Sequence, residues 1–198
     1  GDADIGALLP KVVWHAEQVL LRSAPAPFFA LSRLVREHGT KVVLTGEGAD
    51  EVFLGYDLFK ETAVRRFWAR QPGSTARPRL FSRLYPFLSL SQQAPEVLRS
   101  FFGLGLEQPD ALDFSLQVRW TNSGRVSRFF SKDFTAQLGD PSAGEAMLAT
   151  MPEHVKRWSP MARAQWLEFN TLLSGYLLSA QGDRMLMSNS VAGRFPFL

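Results

Sequence analysis

Seven consecutive residues, Thr45-Gly46-Glu47-Gly48-Ala49-Asp50-Glu51, gather a hydroxyl, three carboxylates and two glycines. Glycine admits backbone conformations closed to other residues and lets a ligand approach the main chain. Carboxylates in such a turn can hold Mg²⁺, which takes one or two of them together with phosphate oxygens and water. One of them can instead act as a general base towards an amine. The same residues also suit a solvated turn leading into a helix, where acidic groups complement the dipole. Residue types and spacing alone leave these three readings open.

The position of the turn depends on its neighbours. Lys41-Val42-Val43-Leu44-Thr45 is a short apolar run just before it. A continuous rather than alternating run predicts a strand buried on both faces, as in a parallel sheet. Helical spacing precedes the strand over about 28–38, with Phe28, Leu31, Leu34 and Val35 on one face, and resumes from Val52 through Phe67. Helix, buried strand, glycine turn, helix is the order of an α/β unit. Ligands in such folds bind beyond the carboxyl ends of the strands, where this turn lies.

Elsewhere the pattern is helical. Leu9 to Leu21 has apolar residues at 9, 12, 13, 16, 19 and 20, with Pro10 expected in the first turn. Residues 71–79 read as a loop, 79–89 and 94–102 as short helices, 103–110 as loop and 139–144 as a turn. The stretch 113–138 mixes Phe114, Trp120, Phe129, Phe130 and Phe134 with Arg119, Arg125 and Arg128. We read its aromatics as core and its arginines as a solvated rim, in preference to a nucleic-acid stacking surface. Met161 to about Ala180 carries a three-and-four stripe of Ala162, Trp166, Phe169, Leu173, Tyr176 and Leu177 behind a Ser159-Pro160 start, which predicts one helix.

Composition narrows the chemistry. The 198 residues are 45% hydrophobic and 21% charged and contain no cysteine. That composition suits a globular chain and excludes disulfides, cysteine-based metal sites and a cysteine nucleophile. His15, His38 and His154 lie far apart, without metal-ligand spacing. Net charge is +3, from 22 basic and 19 acidic side chains that are interleaved without a basic tract. This predicts no nucleic-acid partner. No apolar stretch approaches the roughly 20 residues of a membrane span, so no membrane partner is expected. Neither end resembles a natural terminus: the start carries no initiator Met or leader, and the last residues are apolar.

The run Lys41-Val-Val-Leu-Thr-Gly-Glu-Gly-Ala-Asp-Glu-Val-Phe-Leu-Gly-Tyr56 closely resembles the central signature of the glutamine-hydrolysing asparagine synthetase family. A second run agrees in order, Tyr176-Leu-Leu-Ser-Ala-Gln-Gly-Asp183-Arg184-Met-Leu-Met-Ser-Asn-Ser-Val-Ala-Gly-Arg194-Phe-Pro-Phe-Leu198. It is similar to that family's Asp-Arg-Met…Ser-Val-Glu-x-Arg-x-Pro-Phe-Leu-Asp block. Together the two cover about forty residues.

The resemblance implies an α/β parent fold of the adenine nucleotide alpha hydrolase-like, ATP-pyrophosphatase type. Residues 1–198 would form a predominantly helical piece of its synthetase domain, with one strand at about 41–45. It implies a ligase that uses ATP and Mg²⁺ to adenylate a carboxylate, typically that of aspartate, and lets glutamine-derived ammonia displace AMP. Glu47 matches the acid that assists the attacking ammonia, and Asp50 a Mg²⁺ ligand. Thr45, Gly46 and Gly48 match positions lining the adenylate. Asp183 and Arg184 match the family's Asp-Arg pair, read first as a buried ion pair organising the site. The implied partners are small molecules, the implied location is cytoplasmic, and a homodimer is the assembly considered for the parent.

The chain departs from the family pattern in several places. The pyrophosphate-binding Ser-Gly-Gly-x-Asp-Ser loop, the lysine expected after the Pro-Phe-Leu block and the glutaminase domain with its N-terminal cysteine are absent from the 198 residues. The isolated piece is therefore expected to be inactive. Ala192 stands where the family block has Glu. Two alternatives follow: a relative forming another amide, such as a β-lactam synthetase or peptide cyclase, or a non-catalytic scaffold suggested by Ala192. Glu47 favours the ammonia-using branch, because β-lactam-forming relatives carry Tyr there.

Overall fold

The computed structural model describes residues 1–88, 95–138 and 142–198. In chain order the elements begin with α1 (Asp2–Ala16), α2 (Pro25–Glu37), β1 (Val42–Leu44), α3 (Ala49–Phe53) and α4 (Asp57–Ala69). The middle of the chain holds α5 (Phe81–Leu84), α6 (Pro95–Phe102), α7 (Gln117–Gly124), α8 (Lys132–Leu138), α9 (Ala143–Ala149) and α10 (Glu153–Lys156), interspersed with short 3₁₀ turns. After these come α11 (Pro160–Glu168), a π-helical segment (Phe169–Asp183), α12 (Arg184–Met187) and β2 (Ala192–Arg194). The chain forms two compact units, Gly1–Gly55 with Leu167–Leu198, and Tyr56–Trp166. Helices with one small parallel sheet are consistent with an α/β class. Among the described residues no helix is long and apolar enough to cross a membrane.

In the first unit, β1 and β2 pair in parallel, with Val42 opposite Ala192, Val43 opposite Gly193 and Leu44 opposite Arg194. Parallel strands need a crossover connection, and here it carries the entire second unit. The core beside the sheet packs Val12, Ala16, Ala26 and Phe29 against Leu173, Tyr176, Leu177, Ala180 and Met185.

The expected double burial of the strand is not what the structure shows. Val42 and Leu44 are 51% and 76% exposed, and only Val43 is partly covered. Side chains alternate across a strand, so 42 and 44 share a face. No described residue buries that face, and β2 is the strand's sole described neighbour.

The buried face of α2 also differs from the hydrophobic pattern. Leu31 and Leu34 are about half exposed, while Ala26, Phe29 and Ser32 are buried. Ser32 explains the rotation. Its hydroxyl donates to the Met185 carbonyl (2.7 Å) and accepts from Asn189 Nδ2 (2.7 Å), so a polar residue anchors the face that meets α12. Pro10 lies inside α1 rather than in its first turn, and that helix ends at Ala16, where Glu17 adopts φ 51°.

The helix expected over 52–67 is two helices. Leu54 adopts φ 59°, and Gly55 N–H reaches back to the Asp50 carbonyl (2.8 Å), closing α3 before α4 begins. The helix expected from Met161 to Ala180 is helical throughout but changes pattern, being α to Glu168 and π from Phe169.

The second unit is built around α4. Trp68, Phe81, Tyr85, Leu98, Phe102 and Leu106 form its core, with the Phe81 and Phe102 rings stacked at 4.0 Å. Arg65 is fully buried. It donates to the carbonyls of Phe102 (Nε, 3.1 Å), Phe114 (Nη1, 2.5 Å) and Leu104 (Nη2), and its guanidinium lies 4.1 Å from the Phe114 ring centroid. Burial brings its pKa down to about 10. Glu61 is buried one helical turn earlier. It receives both Arg119 Nη groups (3.1 and 3.2 Å) and the Tyr85 hydroxyl (2.7 Å).

The aromatic stretch only partly follows the core-and-rim expectation. Phe114 is buried, but Phe129, Phe130 and Phe134 are exposed, and Arg119 binds the buried Glu61 instead of lying free on a rim. The helix expected over 94–102 is present from Pro95 to Phe102, residue 94 lying outside the described residues, and the loop over 103–110 is present. Parts of the helix expected over 79–89 and of the turn over 139–144 lie outside the described residues.

Candidate active site

The two sequence signatures, more than a hundred residues apart, meet at the carboxyl ends of β1 and β2. Thr45 N–H donates to the Arg194 carbonyl (3.0 Å) and Ala192 N–H to the Lys41 carbonyl (2.8 Å), extending the ladder at both ends. The chain then diverges on each side. One branch runs through Gly46-Glu47-Gly48 into α3, the other through Phe195-Pro196-Phe197-Leu198. The Phe53 and Phe197 rings meet edge to face at 5.6 Å. A Cβ at Gly182 would lie 3.5 Å from the Phe195 ring, so the end of the π segment packs on the same branch.

Gly48 makes this closure possible. It precedes α3 with φ 91°, a conformation that L side chains rarely adopt, and a Cβ there would lie 2.6 Å from Leu198 Cδ2. Gly48→Ala therefore costs about 1–2 kcal/mol in backbone strain and also displaces Leu198. The expected readout is a lower denaturation midpoint with an unchanged m-value.

Glu47 is half-buried at the centre of this arrangement. Burial raises its pKa above the ordinary glutamate value. A hydrogen bond with the Gln181 side chain opposes the rise, the charge of Glu51 adds to it, Arg22 opposes it and Asp50 adds to it. Glu51 is buried on α3, and Arg22 lies in the loop after α1, with its guanidinium 5.6 Å from the Tyr176 ring centroid. The site thus draws on the loop after β1, helix α3, the loop after α1 and the π segment. A π-helical stretch is rare and often marks a functional place in a helix. Here it carries Gln181 to Glu47.

Several buried polar atoms of these segments have no hydrogen-bond partner among the described residues: Thr45 Oγ1, Gln181 Oε1 and Arg184 Nη1. Such atoms are normally satisfied, and their concentration in the two signatures suits a ligand. Asp50 is exposed, and its carboxylate lies directly against Gly55. No group of three or more His, Cys, Asp or Glu able to hold a metal occurs among the described residues. A single carboxylate still fits Mg²⁺ when phosphate oxygens and water supply the remaining ligands.

The structure brings Thr45, Gly46, Glu47 and Gly48 together with the end of the π segment, where Asp183 and Arg184 follow. The buried Asp-Arg ion pair is not present. Asp183 is exposed and forms no ion pair with Arg184 among the described residues, because the last π turn directs it to solvent. Gln181 and Arg22, which sequence reasoning did not assign, approach Glu47 instead. The sequence signal for Gln181 was only its place two residues before Asp183.

The family model described as asparagine synthase matches residues 1–198. A putative glutamine-hydrolysing asparagine synthetase of Mycobacterium bovis is 32% identical over 97% of the chain, which spans 27% of that protein. Amidase chyE of Penicillium rubens is 31% identical over 94% of the chain, and a glutamine-hydrolysing asparagine synthetase of Bacillus subtilis 27% identical over 96%. The chain spans 28% of each of these two. No solved structure matches it. The match over the whole chain, with both signatures meeting at one place, shows that the chain belongs to the asparagine synthase family.

Proposed function

We propose that this chain carries the amide-forming centre of an ATP-dependent carbon–nitrogen ligase of the ATP-pyrophosphatase type. The observation that carries the reading is the half-buried Glu47 at the carboxyl end of β1, bound to Gln181 of the second signature, with Thr45 Oγ1 and Gln181 Oε1 left without a partner among the described residues. In this reading ATP adenylates a substrate carboxylate, typically that of aspartate, pyrophosphate leaves, and ammonia displaces AMP to give the amide. Dividing one difficult substitution into two gives each step a good leaving group.

Each residue has a part that its surroundings support. Thr45 Oγ1 and Arg184 Nη1 offer a hydroxyl and a guanidinium N–H to the nucleotide-activated group. Gly46, exposed and with nothing within 4 Å of where a Cβ would stand, leaves the main chain open to a ligand, while Gly48 closes the turn against Leu198. Asp50 would hold Mg²⁺, which would neutralise phosphate charge. Glu47 takes the proton that nitrogen sheds as the C–N bond forms. A glutamate with a raised pKa suits that role better than an ordinary one, because general-base efficiency improves as the pKa approaches the working pH.

Similarity to amidase chyE, nearly as strong as that to the mycobacterial synthetase, favours a second reading in which the same centre joins a different amine and carboxylate. Exchange of labelled pyrophosphate into ATP by the full-length protein tests the shared first step. We expect exchange that depends on Mg²⁺ and on a carboxylate substrate, aspartate under the first reading. Exchange independent of every carboxylate would contradict both.

A further inference from the structure

The Glu47–Gln181 contact has a defined direction. Gln181 Oε1 is shielded from solvent and has no partner among the described residues, so the hydrogen bond to Glu47 runs from the amide NH₂ to the carboxylate. The carboxamide is thus held at its nitrogen end, and its shielded oxygen stands beside the Glu47 carboxylate with no partner among the described residues. The charged groups that act on Glu47 are the carboxylates of Asp50 and Glu51 from α3 and the Arg22 guanidinium from the loop after α1. Around Glu47 the named charges are thus three carboxylates, its own included, against one guanidinium, which suits a ligand that brings positive charge.

We propose that Gln181 determines the nucleophile of this site. Its NH₂ fixes the Glu47 carboxylate, and its Oε1 accepts an N–H of incoming ammonium or a small primary amine. This inference rests on the amide-forming reading above. Ammonium gives its first proton to bulk water on entering the site; as the lone pair of the resulting ammonia forms the C–N bond to the activated carboxyl carbon, the nitrogen's second proton passes to Glu47. The C–O bond to the phosphate breaks, and AMP departs with the electron pair. One remaining N–H stays on Gln181 Oε1, which keeps the nitrogen oriented and retained against water.

The test uses the full-length protein with ammonium chloride as nitrogen donor. Gln181→Leu, which preserves bulk and removes both ends of the amide, should raise the KM for ammonium by about 10-fold or more. It should also raise the share of AMP released without amide, with pyrophosphate exchange near wild type. Gln181→Met should reproduce this, which guards against a packing defect particular to Leu. Gln181→Glu keeps acceptor oxygens but loses the NH₂. It should hold the ammonium KM within about threefold while moving the acid limb of the amide-forming pH profile upward, since Glu47 loses a donor that lowers its pKa.

An ammonium KM within twofold of wild type in both Gln181→Leu and Gln181→Met, or equal loss of exchange and amide formation, would overturn the inference. If Glu47→Gln abolishes amide formation while Gln181→Leu behaves as wild type, this inference alone fails. If Glu47→Gln leaves amide formation intact, the underlying reading fails and takes this inference with it.

Discussion

Replacing Glu47 by Gln lowers amide formation by about 10²–10⁴-fold, the usual contribution of a positioned general base, and leaves carboxylate-dependent pyrophosphate exchange near the wild-type rate. The separation follows from position. Glu47 is held by Gln181 from the π segment, whereas Thr45 Oγ1 and Arg184 Nη1, the atoms offered to the nucleotide-activated group, belong to other residues. Equal loss in both assays would place Glu47 in the first step and refute its assigned role.

The same substitution has an opposite effect on stability. Burial raises the pKa of Glu47 in the folded chain above its unfolded value, so folding favours its protonated form. That preference is fully expressed below the unfolded pKa and is lost as pH rises through the folded one. At neutral pH the ionised Glu47 is therefore a burden that a neutral glutamine removes, and Glu47→Gln should be more stable than wild type. The difference should shrink as pH falls through the raised folded pKa and be gone below about 4, where the unfolded chain is protonated too. Denaturation midpoints at neutral and acid pH check the sign.

The second large effect lies in the other unit. Arg65→Met should destabilise the chain by about 3–5 kcal/mol, seen as a fall in the denaturation midpoint. The segment from Phe102 to Phe114 has little regular structure and pairs three of its carbonyls with one guanidinium instead. Methionine fills most of the volume but donates nothing, and each buried carbonyl left unpaired costs about 1–3 kcal/mol. Arg66 is the control. It donates to a single carbonyl, that of Pro109, and its ion pair with Asp110 (3.0 Å) joins groups 33% and 80% exposed, a pair that contributes at most about 1 kcal/mol. Arg66→Ala matching Arg65→Met would show that the three-carbonyl hub does not hold the unit.

How much of this was legible in the sequence varied with the kind of interaction. The glycine-rich acidic turn, the strand before it and the α/β order were readable, because apolar runs and glycine punctuation report local conformation directly. The buried face of α2 was not, because Ser32 holds it through hydrogen bonds to Met185 and Asn189, and hydrophobic periodicity cannot register them. The division at Leu54-Gly55 was hidden too, since apolar spacing continues unbroken across it while the backbone turns left-handed. In the candidate site, the signatures marked Glu47 and its flanking glycines. They did not mark Gln181, whose approach depends on the widened i→i+5 winding of residues 169–183, which a three-and-four stripe cannot distinguish from an α-helix. For the same reason Asp183 could be expected in a buried pair when it faces solvent.

The most direct test of the amide-forming centre is the product balance of one reaction. Full-length protein is supplied with ATP, Mg²⁺, aspartate and ammonium, and nucleotide, pyrophosphate and amide are quantified together. The account predicts AMP, pyrophosphate and asparagine in equal amounts, with amide lost in Glu47→Gln while pyrophosphate exchange persists. ADP with inorganic phosphate as the nucleotide products, or amide formed equally well without Glu47, would contradict it.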